Sequence, residues 1–107
     1  MADYASFEII RTVAFGGISG TYAPVGAAFA NPIKLICFTN NTDGDMFFSD
    51  DGVNNKMFIP KGSFKLFDVT TNRSPFDDNF VLRQNLQFYV KQSTAPTTGA
   101  VYIECIY

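Results

Sequence analysis

Histidine and tryptophan are both absent from this 107-residue sequence. Without histidine there is no imidazole to act as general base or metal ligand, so Ser-His-Asp and Cys-His catalysis and His-containing zinc sites are excluded. Charge is scarce as well, at 17% Asp, Glu, Lys and Arg with a net charge of −2. The basic residues are scattered along the chain, and only Lys56, Lys61 and Lys65 come near one another. Phosphate backbones are bound by clustered cations, so nucleic acid and anionic membrane surfaces are not expected partners. No run approaches the roughly 18 apolar residues of a membrane-spanning helix. The first ten residues carry no basic region and are interrupted by Asp3 and Glu8, so they do not read as a secretory signal. A soluble protein made in the cytoplasm is the expectation.

The two cysteines, Cys37 and Cys105, sit in strand-like runs with neither metal spacing nor a C-x-x-C motif. They read as small buried hydrophobes, with a disulfide as the alternative. Asn40-Asn41-Thr42 matches a glycosylation sequon, which carries no meaning without a secretory signal.

Hydrophobic residues, by contrast, make up 47% of the chain and aromatics 16%, with 12 Phe and 5 Tyr. Such a composition excludes intrinsic disorder, and the length suits one domain, residues 1–107. Apolar residues recur with period two, and no window carries a helical stripe. Strands are predicted over 6–15, 33–39, 45–49, 55–59, 63–70, 80–83, 86–92 and 99–107. About eight short strands at turn spacing imply an all-β, single-domain antiparallel β-sandwich with jelly-roll or Greek-key connections.

Punctuation refines the connections. Thr42-Asp43-Gly44-Asp45 and Ser49-Asp50-Asp51-Gly52 read as hairpin turns, Pro60-Lys61-Gly62 as a turn with proline second, and Ala95 to Gly99 as a further hairpin. These turns predict an antiparallel meander from 33 to 70. Residues 72–79 read as a crossing between sheets, with room for one helical turn. The Gly- and Pro-rich segment 16–32 is too apolar for a linker and reads as an arm or irregular edge, with Tyr22 and Val25 at one edge strand.

Strand parity assigns Ile33, Leu35 and Cys37, Phe64 and Leu66, Leu86, Phe88 and Val90, and Val101, Ile103 and Cys105 to the core. The opposite faces mix charge with Ile36, Phe38, Phe67, Tyr89, Tyr102 and Ile106. Large exposed apolar patches mark interfaces, so these residues, with Tyr22 and Val25, are the candidate assembly surface. On this reading, Phe38→Ser or Phe67→Ser blocks assembly without unfolding the chain.

Other chemistry has thinner support. Asp43, Asp45, Asp50 and Asp51 form acidic loops of a kind that can hold Ca²⁺, yet Phe47 and the missing terminal Glu break the EF-hand pattern. Turn formation accounts for them, so no metal or other cofactor is expected. Asp50, Asp51, Asp77 and Asp78 are loop carboxylates with nothing to separate their acidities, so no catalytic residue and no enzyme is expected. Tyr4, Tyr22 and Phe76 beside Asn and Asp would suit a lectin-like carbohydrate-binding module.

The runs Phe38-Thr-Asn-Asn-Thr-Asp-Gly-Asp-Met-Phe-Phe-Ser-Asp-Asp-Gly-Val53, Phe58-Ile-Pro-Lys-Gly-Ser-Phe-Lys-Leu-Phe-Asp-Val-Thr-Thr-Asn72 and Gln87-Phe-Tyr-Val-Lys-Gln-Ser-Thr-Ala-Pro-Thr-Thr-Gly-Ala-Val-Tyr102 resemble small β-sandwich structural proteins of tailed bacteriophages. Those proteins stand at the head, the neck or the head-to-tail junction, or decorate the capsid. The resemblance implies a homo-oligomeric virion component made in the bacterial host cytoplasm, whose partners are copies of itself and other virion proteins. The alternative is a carbohydrate-binding module at a fibre base.

Overall fold

The period-two pattern is realised as β1 (Arg11–Ala14), β2 (Ala23–Pro24), β3 (Leu35–Thr42), β4 (Met46–Ser49), β5 (Met57–Ile59), β6 (Ser63–Asp68), β7 (Tyr89–Gln92) and β8 (Gly99–Ile106), with a 3-10 turn at Phe15–Gly17. The structure is a computed structural model and describes residues 5–69 and 81–107. Two four-stranded antiparallel sheets result, ordered β1-β8-β3-β6 and β2-β7-β4-β5. Strands pair as β1 with β8, β2 with β7, β3 with β6 and β4 with β5. A long antiparallel ribbon with its tip between β4 and β5, rolled so that β3 meets β8 and β4 meets β7, gives this order. It is a jelly roll.

Rolling the ribbon corrects the expected meander. Of the turns between 33 and 70, only the Asp50 to Lys56 loop closes a hairpin, joining β4 to β5. Asp43-Gly44, Pro60-Lys61-Gly62 and Ala95 to Thr98 are corners that pass the chain from one sheet to the other. Pro60 is also the first residue of its turn, because its carbonyl accepts from Ser63 N at 3.1 Å while Gly62 takes φ +69°. Gly99, where β8 starts, has φ +89°, and a Cβ there would fall 1.9 Å from the Asn41 carbonyl oxygen. Only glycine fits. The predicted strand 80–83 reduces to a single bridge between Leu82 and Ile33, and the edge strand is Ala23–Pro24. The crossing predicted over 72–79, and its helical turn, lie outside the described residues.

The core fills the space between the sheets. Phe38 meets Phe48 at 5.4 Å, Phe88 at 4.9 Å and Phe67 at 6.0 Å between ring centroids, joining β3 to β4, β6 and the run into β7. Ile36, Val25, Phe29, Ile33, Met46, Ile59, Val90, Val101 and Ile103 complete it, each at most 1% exposed. The 16–32 segment is therefore partly core. Arg11 holds it there, donating from Nε to the Ala27 carbonyl at 2.6 Å and from Nη2 to Ala28 O at 3.2 Å and Glu8 Oε1 at 2.7 Å. Glu8 Oε2 in turn accepts from Asn31 N and Nδ2. Burial acts to raise the Glu8 carboxyl, but the bonds from Asn31 and Arg11 outweigh it and hold its pKa below the ordinary value.

Candidate interaction surface

The placement of the assembly residues expected from parity is mixed. Ile36 and Phe38 are each 1% exposed and Val25 is fully buried, so all three belong to the core and cannot form a surface. The facing of β3 and β6 is the reverse of what parity predicts. Lys34, which marked the charged face, precedes β3, whereas Ile36 and Phe38 pair with Cys105 and Ile103 on the buried side of β8. Phe67 also points inward, beside Phe38, and stays 39% exposed because β6 is an edge.

Tyr102 and Ile106 do lie on the outer face of the β1-β8-β3-β6 sheet, both half-buried. Register aligns Ile106 with Leu35, Glu104 with Cys37 and Tyr102 with Thr39 on β3, and Leu66 with Cys37 and Phe64 with Thr39 on β6. Phe7 bridges to Ile106. Paired residues share a face, so Phe7, Ile106, Leu35, Cys37, Leu66 and Phe64 form one apolar strip across the sheet. Phe7 is 78% exposed, Phe64 65% and Leu66 58%. A shallow groove of about 140 Å³ runs between Phe7, Leu35, Cys37 and Leu66, with Glu104 on its wall. Parity missed Phe7, Leu35, Cys37, Phe64 and Leu66. The signal that finds them is the register with β8, whose Val101, Ile103 and Cys105 are unambiguous.

Beside the strip, the N-terminal segment takes four steps from Phe7 to Arg11 while β8 takes three from Ile106 to Ile103. One extra residue makes a bulge. It leaves Ile9 87% and Ile10 51% exposed over an open groove of about 560 Å³, whose far wall is Gly26, Ala27, Ala28 and Ala30.

The cysteines lie on opposite sides of one sheet: Cys105 faces the core and Cys37 the outer strip, and both are free. Burial pushes the Cys105 thiol up to about 11.

On the other sheet, Tyr22, Phe47, Phe58 and Lys91 form a second outer face. Lys91 Nζ stands 5.0 Å from the Tyr22 ring centroid, and the Tyr22 hydroxyl donates to Asn55 Oδ1 at 2.5 Å. Burial, and then the Asp51 charge, raise the Tyr22 pKa. Tyr89 is half-buried, its ring against Gly52. Tyr4 and Phe76 of the lectin-like reading lie outside the described residues, as do Asp77 and Asp78.

The acidic loops are engaged by the chain itself. Asp43 accepts from Thr97 N at 2.6 Å, from Thr98 N at 3.2 Å and from the Thr97 hydroxyl. Asp45 accepts from Lys61 N, and Asp51 from Ser49 Oγ, Val53 N, Asn54 N and Asn54 Nδ2. Asp50 pairs with Lys56 at 3.1 Å. Asp43 and Asp45 brace corners between the sheets, and Asp50 and Asp51 brace the β4–β5 hairpin loop. Among the described residues no three His, Cys, Asp or Glu side chains converge as a metal site would require.

The Thr97 side-chain and backbone bonds, reinforced by Thr98, lower the Asp43 pKa to about 2, and bonds from Ser49, Val53 and Asn54 lower that of Asp51 further. A carboxyl whose folded pKa lies below the unfolded value of about 3.9 stabilises the fold above that value and loses the contribution as pH falls toward the folded pKa. The melting temperature should accordingly hold from neutrality to about pH 5 and fall below about pH 4, more shallowly in Asp43→Asn. An acid limb in Asp43→Asn as steep as the wild type's would contradict the corner role.

No protein-family model and no curated protein matches this sequence. Among the described residues no helix is long and apolar enough to cross a membrane. Among solved structures the chain is similar to the Dit (gp 19.1) protein of phage SPP1, described as a paradigm of hub adsorption apparatus in phages that infect Gram-positive hosts, with a TM-score of 0.43 and 12% identity. The match covers 96% of this chain and 49% of that one, so the chain spans about half the length of the protein it resembles, and a likeness this distant assigns no role.

Proposed function

We propose that this chain is a structural protein of a tailed-phage particle, a neck or connector component or a capsid decoration, that works by contact with copies of itself and with other virion proteins. The observation that carries the reading is the apolar strip from Phe7 through Ile106, Leu35 and Cys37 to Leu66 and Phe64. Fully burying a side chain of this size contributes roughly 1.5–3 kcal/mol. A surface of that kind is stable when covered. The sequence resemblance over residues 38–53, 58–72 and 87–102 supports the same reading, and its expected setting is the virion, with no enzymatic step, cofactor, nucleic acid or membrane in the mechanism.

Light scattering tests it. The wild type is expected to associate as concentration rises, and a Phe7→Lys, Leu35→Lys double variant to fall to the smallest stable unit with an unchanged circular dichroism spectrum. A wild type that stays monomeric at every concentration, or an assembly that the double variant leaves intact, would count against the proposal.

A further inference from the structure

Among the described residues the two sheets end in four edge strands, β1, β6, β2 and β5, and one of them differs from the rest. An open edge presents unpaired N–H and C=O groups to any other strand, and proteins blunt edges by shortening, proline, a bulge or charged side chains. β2 has two residues and includes Pro24, β5 has three, and β1 is interrupted by the bulge between Phe7 and Arg11. β6 runs unbroken from Ser63 to Asp68, with neither proline nor a bulge and with Lys65 as its one cation, and every residue after Ser63 is exposed.

The direction of its backbone groups follows from the ladder. Ser6 and Tyr107 exchange both hydrogen bonds, so odd-numbered residues of β8 bond toward the N-terminal segment and even-numbered ones toward β3. Odd-numbered residues of β3 therefore bond to β8 and even-numbered ones to β6. Val69 N donating to Lys34 O at 3.0 Å agrees, and places Ser63, Lys65 and Phe67 in the bonds to β3. Phe64 and Leu66 then turn their N–H and C=O groups away from the sheet. No described residue pairs with them.

We infer that β6 is a copy-to-copy junction, pairing antiparallel with β6 of a second copy across a two-fold axis at Leu66. The strand is self-complementary in that register. Leu66 stands opposite Leu66 of the second copy, and each Lys65 stands opposite a Phe67 whose ring the edge leaves 39% exposed. The ammonium and the ring face attract one another, and such cross-strand pairs stabilise a ladder. Moving the axis to Lys65 would set like charges against each other. With the axis at Leu66, two four-stranded sheets become one of eight, and the apolar strips of both copies become continuous. The inference rests on the self-association in the proposed function and names the strand that performs it.

Leu66→Pro, set against Leu66→Ala, isolates the edge, since both take the leucine side chain from the strip and only proline alters the backbone edge. Proline removes the outward N–H of residue 66 and none of the bonds that β3 uses, and edge strands tolerate proline with that orientation. The variant is expected to keep its circular dichroism spectrum and to scatter as particles of half the wild-type mass, while the Phe7→Lys, Leu35→Lys variant stays at twice the chain mass of 11.9 kDa. Hydrogen exchange gives a second reading independent of whether the proline variant folds. The Phe64 and Leu66 amides of the wild type should gain protection as concentration rises. If Leu66→Pro assembles as the wild type does, or those two amides exchange freely in the assembly, edge pairing is wrong and self-association through the strip stands. A wild type monomeric at all concentrations removes both.

Discussion

Phe38→Ala is expected to destabilise the fold by about 3–5 kcal/mol, the range for truncating a fully buried phenylalanine. The ring is 1% exposed and touches Phe48 and Phe88 from the opposite sheet and Phe67 from its own, so its removal opens a cavity where the sheets meet. Those neighbours are fixed by separate strands and can collapse only in part. Domains are stable by roughly 5–15 kcal/mol, so this one ring carries a large share of the margin. Leu35→Ala, three positions earlier on the same strand, exposes no such cavity and should cost about 1 kcal/mol or less, because Leu35 faces outward. Urea midpoints of the two variants decide the facing of β3. A larger loss for Leu35→Ala than for Phe38→Ala would mean that β3 is turned over.

That strand also shows which parts of the fold are legible from sequence. β7 and β8 could be read directly, since Phe88 and Val90, and Val101, Ile103 and Cys105, alternate with Tyr89, Lys91, Tyr102 and Glu104. β3 offers Leu35 and Cys37 on one side and Ile36 and Phe38 on the other, so composition does not separate its faces. Its inward face continues into Asn40 and Thr42, both buried and both polar, which disguises it as a solvent face. Only pairing with β8 resolves the choice, and pairing between residues 57 to 71 positions apart, from Thr42 with Gly99 to Leu35 with Ile106, leaves no mark in a local window. The same limit explains the turns. Asp43-Gly44 and Asp51-Gly52 share a local signature, yet the first is a corner between sheets and the second belongs to the β4–β5 hairpin. The edge role of Ala23–Pro24 was legible because proline's missing donor restricts it to edges. The apolar strip is legible in the sequence only as an excess of large side chains, with Ile106 on the outer face as parity expects and the rest of its residues identified by register.

Asn40→Ala is expected to cost about 1–3 kcal/mol, the cost of leaving one buried backbone N–H without its partner. Asn40 has no exposed surface. Its Nδ2 donates to the Gly44 and Ile59 carbonyls, both at 2.9 Å, and its Oδ1 accepts from Thr42 Oγ1 at 2.6 Å and Thr42 N at 3.1 Å. Removing the side chain strands Thr42 N, while Ile59 O keeps its place in the ladder with Met46 and Gly44 O keeps the Thr42 hydroxyl at 2.9 Å. The amide thus fastens β3 of one sheet to β5 of the other and shapes the corner between β3 and β4, where a Cβ on Gly44 would fall 2.3 Å from Thr94 O. Asn40→Asp separates hydrogen bonding from packing, because it keeps the shape and replaces the donor with an oxygen aimed at two carbonyls. Burial among acceptors raises the folded pKa of that new carboxyl above the ordinary value, so the variant should recover stability as acid protonates it and restores one donor. Between about pH 6 and pH 4 its melting temperature should rise while that of the wild type holds or falls. A variant that instead tracks the wild type through this window, or an Asn40→Ala protein with an unchanged urea midpoint, would show that the corner is held by packing around Thr42 and Gly44 rather than by the amide.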